Sequence, residues 1–416
     1  MQAMTSRPTT IVLIGITGDL ARKKLLPALY DLYINDKLEN TKIVGFSRRE
    51  FGEKEIKDFV KENLPTENFD EAFLDLITYV QGQFDDKNSY KKLSEHLSDT
   101  CDKELGDCSN KLFYLAVPPN LYETICTNIS TSGLSIPCGG KEGFARILIE
   151  KPFGKDLETA EKLDELLGRL FREDQIYRID HYVAKEALLN IINVHRKEES
   201  VAHRWNTEHV EKVEIDLFET ATVGSRGSSY DGVGAFCDVG QNHLLQMLSL
   251  VAMDIPDSFE PKLIQKSRAD ILEHLVPTTE KDIREMSRGQ YEGYVEEPGV
   301  ATDSTTETFF SITVRVDDGT MAGVPFVLKS GKALSENLTQ VVVTFKDGKS
   351  LAISVPPENS LPAYQKILLD CIIGDQTVFI STREVLAEWK FITPIVEATQ
   401  KNKPFLYKKG SDPAIF

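Results

Sequence analysis

Short apolar runs and periodic apolar stretches alternate along the first 175 residues or so of the chain. Four runs rich in Ile, Leu and Val are typical of buried strands, and they cover residues 11–15, 42–47, 111–117 and 146–150. Helical periodicity marks the stretches around them, as in ETAEKLDELLGRLF at 158–171. Strands that alternate with helices predict a parallel sheet with right-handed crossovers.

The pattern changes beyond this point to β-rich segments that partly alternate between apolar and polar residues. These segments read KVEIDLFET, TFFSITVRV, QVVVTFK and SLAISVP, with the turn signals DDG and KDGK among them. They predict an antiparallel sheet, covered by helices such as KEALLNIINVHR and NHLLQMLSLVAM. We therefore predict a doubly wound α/β domain over residues 1–177 and an α+β domain with a large, mainly antiparallel sheet over residues 178–416.

Length and composition agree with two domains of a soluble globular protein. The chain has 416 residues, of which 41% are hydrophobic and 27% charged. No run approaches the roughly 20 apolar residues of a membrane helix, and MQAMTSRPTT lacks the apolar core of a signal peptide. We expect a cytoplasmic protein.

The net charge of -17 argues against nucleic acid or an anionic membrane as a partner, because phosphate groups would be repelled over most of the surface. Local clusters of Lys and Arg are therefore informative. The cysteines have neither C-x-x-C spacing nor paired histidines nearby, so we predict no metal site, no disulfide scaffold and reduced thiols at positions 101, 108, 126, 138, 237 and 371.

The first predicted strand runs into two glycines, Gly15 and Gly18, in IGITGDLARKK. Glycines at a strand-to-helix turn let the backbone approach a pyrophosphate, and the helix N-terminus offers free N–H groups. The spacing is G-x-x-G-x-x-A, ending on Ala21. By itself this pattern is as consistent with simple turn chemistry as with a dinucleotide site.

The second predicted strand ends in VGFSRRE, with Ser47, Arg48 and Arg49 where an NAD enzyme places a carboxylate for the ribose hydroxyl. An Arg fork binds a 2′-phosphate, which a carboxylate would repel. The pattern favours NADP over NAD. Solvated surface arginines are the alternative.

Two further motifs follow the fourth predicted strand. In EKPFG, Lys151 would point into the crevice at the carboxyl edge of the sheet, and Pro152 is a candidate for a cis peptide bond. In YRIDHYVAKE, a helix that begins near Asp180 would bring His181 and Lys185 to one face at i, i+4, with Tyr182 beside them. These donors suggest a phosphate or carboxylate ligand, and an exposed helix start is the alternative.

Two later stretches carry ionisable residues whose pattern alone is weak evidence. FCDVGQNH contains Asp238 and His243, and LKSGKAL contains Lys329 and Lys332. A single histidine beside an apolar helix is more often a hydrogen-bonded core residue than a base.

Taken together, these strings resemble the glucose-6-phosphate dehydrogenase family. GITGDLARKK, VGFSRR, LAVPP, EKPFG, REDQIYRIDHY-x-x-KE, QNHLLQMLSLVAM, DSTTETF, GVPF-x-L-x-x-GKAL and LLDCIIGDQT occur in that family's order. The resemblance implies a Rossmann domain followed by a large antiparallel sheet, and a homodimer or homotetramer. It also implies oxidation of glucose 6-phosphate at C1 to 6-phosphogluconolactone with reduction of NADP.

The resemblance also implies roles for individual residues. His243 would be the general base for the C1 hydroxyl and Asp180 would orient it. The substrate ligands would be Lys151, His181, Tyr182, Lys185, Glu219, Asp238 and Lys332. The cofactor residues would be Gly15, Thr17, Gly18, Asp19, Leu20, Lys24, Arg48, Ala116 and Lys151.

The chain departs from the family pattern at three places. VHRKEES replaces the family's usual L-R-F-A-N, Asn337 stands where some members have Arg, and the connection from DGKSLAISVPPENS to LPAYQKILLDC is shorter. We expect at least one strand of the large sheet to be lost, which bears on the oligomer and the substrate rim. Two alternatives stay open: a related two-domain oxidoreductase of unphosphorylated sugars, and a cofactor-binding regulator without catalysis.

Overall fold

The computed structural model describes residues 7–416 except 66, 68, 107, 139–142, 184–202, 257, 259 and 355–360. Its strands are β1 (Thr9–Ile14), β2 (Thr41–Ser47), β3 (Ile77–Gln81), β4 (Asn110–Leu115), β5 (Ala145–Glu150), β6 (Ile176–Ile179), β7 (Val210–Phe218), β8 (Ser287–Tyr291), β9 (Phe309–Val314), β10 (Phe326–Gly331), β11 (Leu338–Phe345), β12 (Ser350–Ser354), β13 (Phe379–Ile380) and β14 (Phe405–Tyr407).

The α-helices are α1 (Leu26–Ile34), α2 (Glu53–Glu62), α3 (Lys87–His96), α4 (Lys103–Leu105), α5 (Tyr122–Thr131), α6 (Leu157–Leu170), α7 (Gly227–Tyr230), α8 (Leu245–Ala252), α9 (Pro261–Glu273), α10 (Glu280–Glu285), α11 (Leu361–Ile373) and α12 (Thr382–Thr399). Wider π-helical turns precede or extend three of them, at Ala21–Leu25, Leu97–Asp102 and Phe236–Leu244.

The first sheet has seven strands in the order β13-β6-β5-β4-β1-β2-β3. All neighbours pair in parallel except β13, which runs antiparallel to β6. The central strands β1 and β4 are buried along their whole length, as expected of a parallel sheet covered on both faces. The predicted Rossmann-type sheet is confirmed, and its four predicted strands correspond to β1, β2, β4 and β5.

The second sheet also has seven strands, in the order β12-β11-β7-β10-β9-β8-β14. Four of its six pairings are antiparallel, and β7–β10 and β8–β14 are parallel. The prediction of a large, mainly antiparallel sheet with helices is confirmed. Residues 185–196, predicted as a helix, lie within 184–202, outside the described residues.

The chain folds as two compact units, each built from several segments. The first contains Met1–Phe153, Glu161–His181 and Asn359–Ile380, and the second contains Gly154–Ala160, Tyr182–Glu358 and Ser381–Phe416. The boundary predicted at 177/178 stays a prediction. The Lys151–Pro152 peptide bond is cis.

The cysteine prediction is wrong for two of the six residues. Cys108 and Cys138 form a disulfide, with their Cα atoms 5.9 Å apart, while positions 101, 126, 237 and 371 are free thiols. The spacing gave no sign of it, because the partners are 30 residues apart in sequence and meet only when β4 and β5 pair. Within the described ranges, no helix has both the length and the apolar character needed to cross a membrane.

A buried ion pair holds α9 and α12 together in the second unit. The Nε of Arg268 donates to Oε1 of Glu384 at 2.7 Å, and both side chains are completely buried. Glu384 also accepts hydrogen bonds from the backbone and hydroxyl of Ser381, which caps α12. An exposed ion pair joins the same two helices, from Arg383 to Glu273 at 2.5 Å.

We expect Arg268→Ala to lower the free energy of unfolding by about 3–5 kcal/mol, because it leaves the carboxylate of Glu384 buried and unpaired. Arg383→Ala is the matched control on the same helix pair, and its exposed position limits the loss to about 1 kcal/mol. Urea unfolding of both variants measures the difference. Equal losses would contradict the role given to the buried pair.

Candidate active site

Three neighbouring strands of the first sheet end at one edge, where the chain turns at Gly15. The Gly15 N–H donates to the carbonyl of Phe46 at 2.8 Å, and the Ala116 N–H donates to the carbonyl of Ile14 at 2.9 Å. Gly15 has a φ of 89°, and a Cβ there would lie 2.6 Å from the carbonyl oxygen of Ala116. Only glycine fits both the conformation and the space, as a dinucleotide-binding turn requires.

The chain then turns from Gly15 into a helix. The Gly18 N–H donates to the Gly15 carbonyl at 2.8 Å, and the Arg22 N–H donates to the Gly18 carbonyl at 3.1 Å. The Thr17 hydroxyl reaches Oγ of Ser47, at the end of β2, across 3.4 Å. The helix start therefore lies at the carboxyl edge of the sheet, where its N–H groups suit a phosphate.

The charged residues of this turn are partly engaged with one another. Asp19 is exposed and pairs with Arg22 and with Lys23, and these cations lower the pKa of Asp19. Leu20 and Lys24 are half-buried on either side of the first turn. Their predicted contacts with the cofactor stay predictions.

Arg48 directly follows β2 and is exposed. Its guanidinium carbon lies 5.6 Å from the centre of the Phe84 ring. Within the part of the chain that the structure describes, no carboxylate forms an ion pair with Arg48, so its donors are available to an anion.

Sequence reasoning missed Tyr79, which fixes the end of β2. Its hydroxyl lies 2.9 Å from Oγ of Ser47 and also donates to the carbonyl of Arg49. Burial raises the pKa of Tyr79, so the neutral hydroxyl remains a donor. Tyr79 lies on β3, whose mixed polar sequence gave no strong strand signal.

The ends of β5 and β6 bring Lys151 and Asp180 to neighbouring positions. The two strands pair in parallel, with Glu150 opposite Ile179, so the next residue of each strand follows at the same edge. Asp180 is 1% exposed, and Lys151 is half-buried. The structure thus places two predicted site residues side by side at the edge that also carries Gly15.

Glu150 is a second residue that sequence reasoning did not assign. It accepts a hydrogen bond from the hydroxyl of Tyr114, and its Oε2 lies 3.4 Å from Nε2 of His181. Burial, reinforced by the charge of Glu150, raises the pKa of Tyr114. The other ring nitrogen of His181, Nδ1, is buried and has no hydrogen-bond partner among the described residues. A polar atom of a ligand would satisfy it.

In the second unit, His243 lies on the π-helical turn Phe236–Leu244, which continues into α8. His243 is 5% exposed, and its ring centre is 4.0 Å from that of Tyr182. Turns of this kind are frequent at functional sites. Burial raises the pKa of Cys237 on the same turn to about 12, so this thiol is not a nucleophile at neutral pH.

Lys332 meets two carboxylates in the same unit. Because β7 and β10 pair in parallel with Phe218 opposite Gly331, Glu219 and Lys332 leave the sheet side by side. The ammonium of Lys332 pairs with Glu219 and lies 3.3 Å from Oδ2 of Asp238. Lys332 is 3% exposed. Three predicted substrate residues therefore form one charged cluster.

The predicted site residues fall into two groups, one in each unit. The first unit holds the cofactor residues with Lys151, Asp180 and His181, and the second holds Tyr182, Glu219, Asp238, His243 and Lys332. Lys185 lies outside the described residues, as does VHRKEES. The predicted interaction of Asp180 with His243, and the role of each site residue, stay predictions.

Comparisons with known proteins agree with this arrangement. The family model described as "Glucose-6-phosphate dehydrogenase, NAD binding domain" matches residues 12–190, and the model of the C-terminal domain of that family matches 196–359 and 351–414. The fold and the matching family models together define a two-domain, nicotinamide-dependent oxidoreductase. The chain belongs to the glucose-6-phosphate dehydrogenase family, as the sequence motifs predicted.

Individual relatives cover nearly the whole chain. Glucose-6-phosphate 1-dehydrogenase 6, cytoplasmic, from Arabidopsis thaliana is 34% identical, and the match covers 97% of this chain and 88% of the relative. A solved structure of glucose-6-phosphate dehydrogenase in complex with its substrate glucose-6-phosphate is 27% identical with a TM-score of 0.89, covering 99% of this chain and 96% of that one. The structure of glucose-6-phosphate 1-dehydrogenase from Mycobacterium avium is 29% identical with a TM-score of 0.85, and the match covers 97% of this chain and 95% of that one.

We expect Gly15→Ala to lower the free energy of unfolding by about 1–3 kcal/mol, since the new methyl group meets the Ala116 carbonyl and the backbone is left-handed. Gly18→Ala is the control, because its Cβ would lie 3.2 Å from the nearest atom. Thermal unfolding of both variants checks the comparison. If the two substitutions are equally tolerated, the close approach at Gly15 is not the constraint described.

Proposed function

We propose that the protein oxidises D-glucose 6-phosphate at C1 to 6-phospho-D-glucono-1,5-lactone, with NADP as hydride acceptor. The observation that carries this proposal is the cluster of Glu219, Asp238 and Lys332 in the unit that also buries His243. Carboxylates and a lysine in one cluster provide acceptors and a donor for several sugar hydroxyls. Family membership and the likeness to a substrate complex of that family support the same substrate.

His243 takes the proton of the C1 hydroxyl in this mechanism. An imidazole with an ordinary pKa near 6.5 is largely neutral above pH 7 and can act as a general base. Asp180 orients the ring and stabilises its cation, which is the arrangement of an Asp–His pair without a protein nucleophile. Its 1% exposure suits this role, because a desolvated carboxylate interacts strongly with a nearby cation.

The first unit fits a dinucleotide. The Gly15 turn, where a Cβ would collide with Ala116, agrees with a pyrophosphate at the start of the helix. A bound nicotinamide supplies the hydride acceptor. Arg48 carries the preference for NADP through its exposed guanidinium. The proposed cofactor set is completed by Thr17, Gly18, Asp19, Leu20, Lys24, Ala116 and Lys151.

His181, Tyr182 and Lys185 would bind the 6-phosphate. Nδ1 of His181 supports this assignment, because it is buried without a hydrogen-bond partner among the described residues and a ring N–H there could donate to a phosphate oxygen. A phosphate held far from C1 also positions C1 for reaction. An oxidoreductase of unphosphorylated sugars has no need of these donors.

The deciding experiment follows absorbance of the reduced nicotinamide with glucose 6-phosphate or glucose, each offered with NADP or NAD. Rapid reduction of NADP with glucose 6-phosphate alone supports the proposal. Equal rates with glucose favour the related sugar oxidoreductase. Binding of NADP without turnover of either sugar favours the regulator.

We also propose a cytoplasmic location, in line with the name of the Arabidopsis relative, and a homodimer or homotetramer. Sedimentation of the purified chain measures the oligomer. A monomer at micromolar concentration would overturn the proposed homodimer or homotetramer.

Arg48→Ala should weaken NADP binding by about 1.5–3 kcal/mol, the range for hydrogen bonds to a charged group, and should barely affect NAD. Fluorescence titration with each reduced cofactor measures both affinities. Arg49→Ala is the control at the neighbouring position. Equal losses for NADP and NAD would show that Arg48 does not contact the 2′-phosphate.

His243→Asn should keep both ligands bound and slow the chemical step by about 10² to 10⁴, the contribution of a general base. Asp180→Asn should also slow it, and the double variant should be little worse than His243→Asn, because residues that act as a unit lose activity non-additively. The measurements are kcat, KM and the pH profile of kcat/KM, whose acid limb should disappear in His243→Asn. A variant that keeps most of its kcat and an unaltered acid limb would exclude His243 as the base.

A further inference from the structure

Helix α12 carries a second buried carboxylate, Glu388, one helical turn beyond Glu384. Glu388 is 1% exposed. Its Oε2 accepts a hydrogen bond from Nε2 of Gln241 at 3.0 Å, and its Oε1 accepts one from Nε2 of Gln246 at 2.7 Å. Both donors are buried, and both belong to the helical segment that carries His243.

The two glutamines lie on either side of His243 in sequence, and a further contact reaches its backbone. Oε1 of Gln241 lies 3.4 Å from Nδ2 of Asn242, and Oδ1 of Asn242 accepts the His243 N–H at 2.7 Å. The segment around His243 is a π-helical turn, whose wider hydrogen-bond spacing is rare and needs support from its surroundings. Glu388 bonds to this turn through Gln241 and to the start of α8, directly after the turn, through Gln246.

Packing alone does not require a carboxylate at this position. Burying a charge is unfavourable unless hydrogen bonds satisfy it, and an apolar side chain of the same size often packs equally well. Hydrogen bonds to a carboxylate are shorter and about twice as strong as those between neutral groups. The hydrogen bonds to Glu388 therefore restrain the position of the helical segment that carries His243.

We propose that Glu388 is a positioning residue, which fixes the turn around His243 so that the imidazole stays within reach of the C1 hydroxyl. The catalytic part of this inference rests on the proposed function of His243 as the base. Small displacements of a base slow the chemical step with little change in substrate binding. The expected signature is a loss in kcat and not in KM.

The test compares Glu388→Met and Glu388→Gln with Glu384→Gln in the full-length protein. Met has a similar volume and no strong acceptor. In Glu388→Gln, the new amide can donate to Oε1 of Gln246, which has no partner among the described residues, so partial rescue is expected. Glu384 lies on the same helix, is equally buried and binds α9 through Arg268, so Glu384→Gln reports the effect of weakening α12 alone.

We expect Glu388→Met to lower kcat at least tenfold, with both KM values within about twofold of those of the wild type. The kcat of Glu388→Gln should lie between those of Glu388→Met and the wild type. Glu384→Gln should lose thermal stability and keep the kcat of the wild type. A second readout is independent of turnover: the ring ¹⁵N–¹H signals of His243 in protein labelled at histidine, assigned by their loss in His243→Asn. These signals should move in Glu388→Met and stay in place in Glu384→Gln.

An unchanged His243 signal in Glu388→Met, or a kcat equal to that of Glu384→Gln, overturns the inference. If Glu388→Met fails to fold, Gln241→Met replaces it in the test, because this substitution removes one of the two donors to Glu388. Its kcat and its His243 signals are then compared with those of Glu384→Gln. If the wild type does not oxidise glucose 6-phosphate, the proposed function fails on that assay. The His243 signals then still decide whether Glu388 positions this residue.

Discussion

The ammonium group of Lys332 can be buried only because two carboxylates meet it, and the second unit is organised around that requirement. An unpaired charge in such a place is strongly unfavourable, so Glu219 and Asp238 must arrive together from different parts of the chain. The parallel pairing of β7 with β10 places Glu219 beside Lys332, and the π-helical turn that carries Asp238 also carries His243. The same rule applies to Arg268 with Glu384 and to Arg288 with Glu307, which are also buried. The turn that neutralises Lys332 through Asp238 is thereby held in one place, together with the His243 that it carries.

Much of the fold was accessible from the sequence, because buried strands leave an apolar signature. The runs that became β1, β2, β4 and β5 are mainly apolar, and four strands of the second sheet partly alternate between apolar and polar residues. Several of the strands that were missed lack that signature. β3 reads ITYVQ and has two half-buried positions and one exposed, β8 reads SRGQY, and β13 has only two residues. Their strand conformation comes from pairing with neighbours, which is a tertiary effect that a local pattern does not contain.

Some residues of the candidate site were likewise accessible from the sequence, and others are seen only in the structure. Gly15 and Arg48 were singled out because each stands in a motif with a chemical reason for its spacing, whereas Lys332 was singled out only through the resemblance to the family. Glu150, Tyr79 and Glu388 were not, since a polar residue at a strand end or on an amphipathic helix is usually solvated, and only the fold shows that these three are enclosed with specific partners. The Cys108–Cys138 disulfide belongs with them, because its two ends meet through sheet pairing alone.

The first unit includes Asn359–Ile380, a segment that follows most of the second unit in the chain. That segment supplies α11, whose Gln365 donates to Asp31 of α1, and β13, which covers the β6 edge of the parallel sheet. During synthesis the ribosome therefore releases the dinucleotide-binding sheet long before the strand that closes its edge. Until residue 380 emerges, β6 presents unpaired backbone groups to other nascent chains, and completion of the first unit waits until most of the second unit has been synthesised.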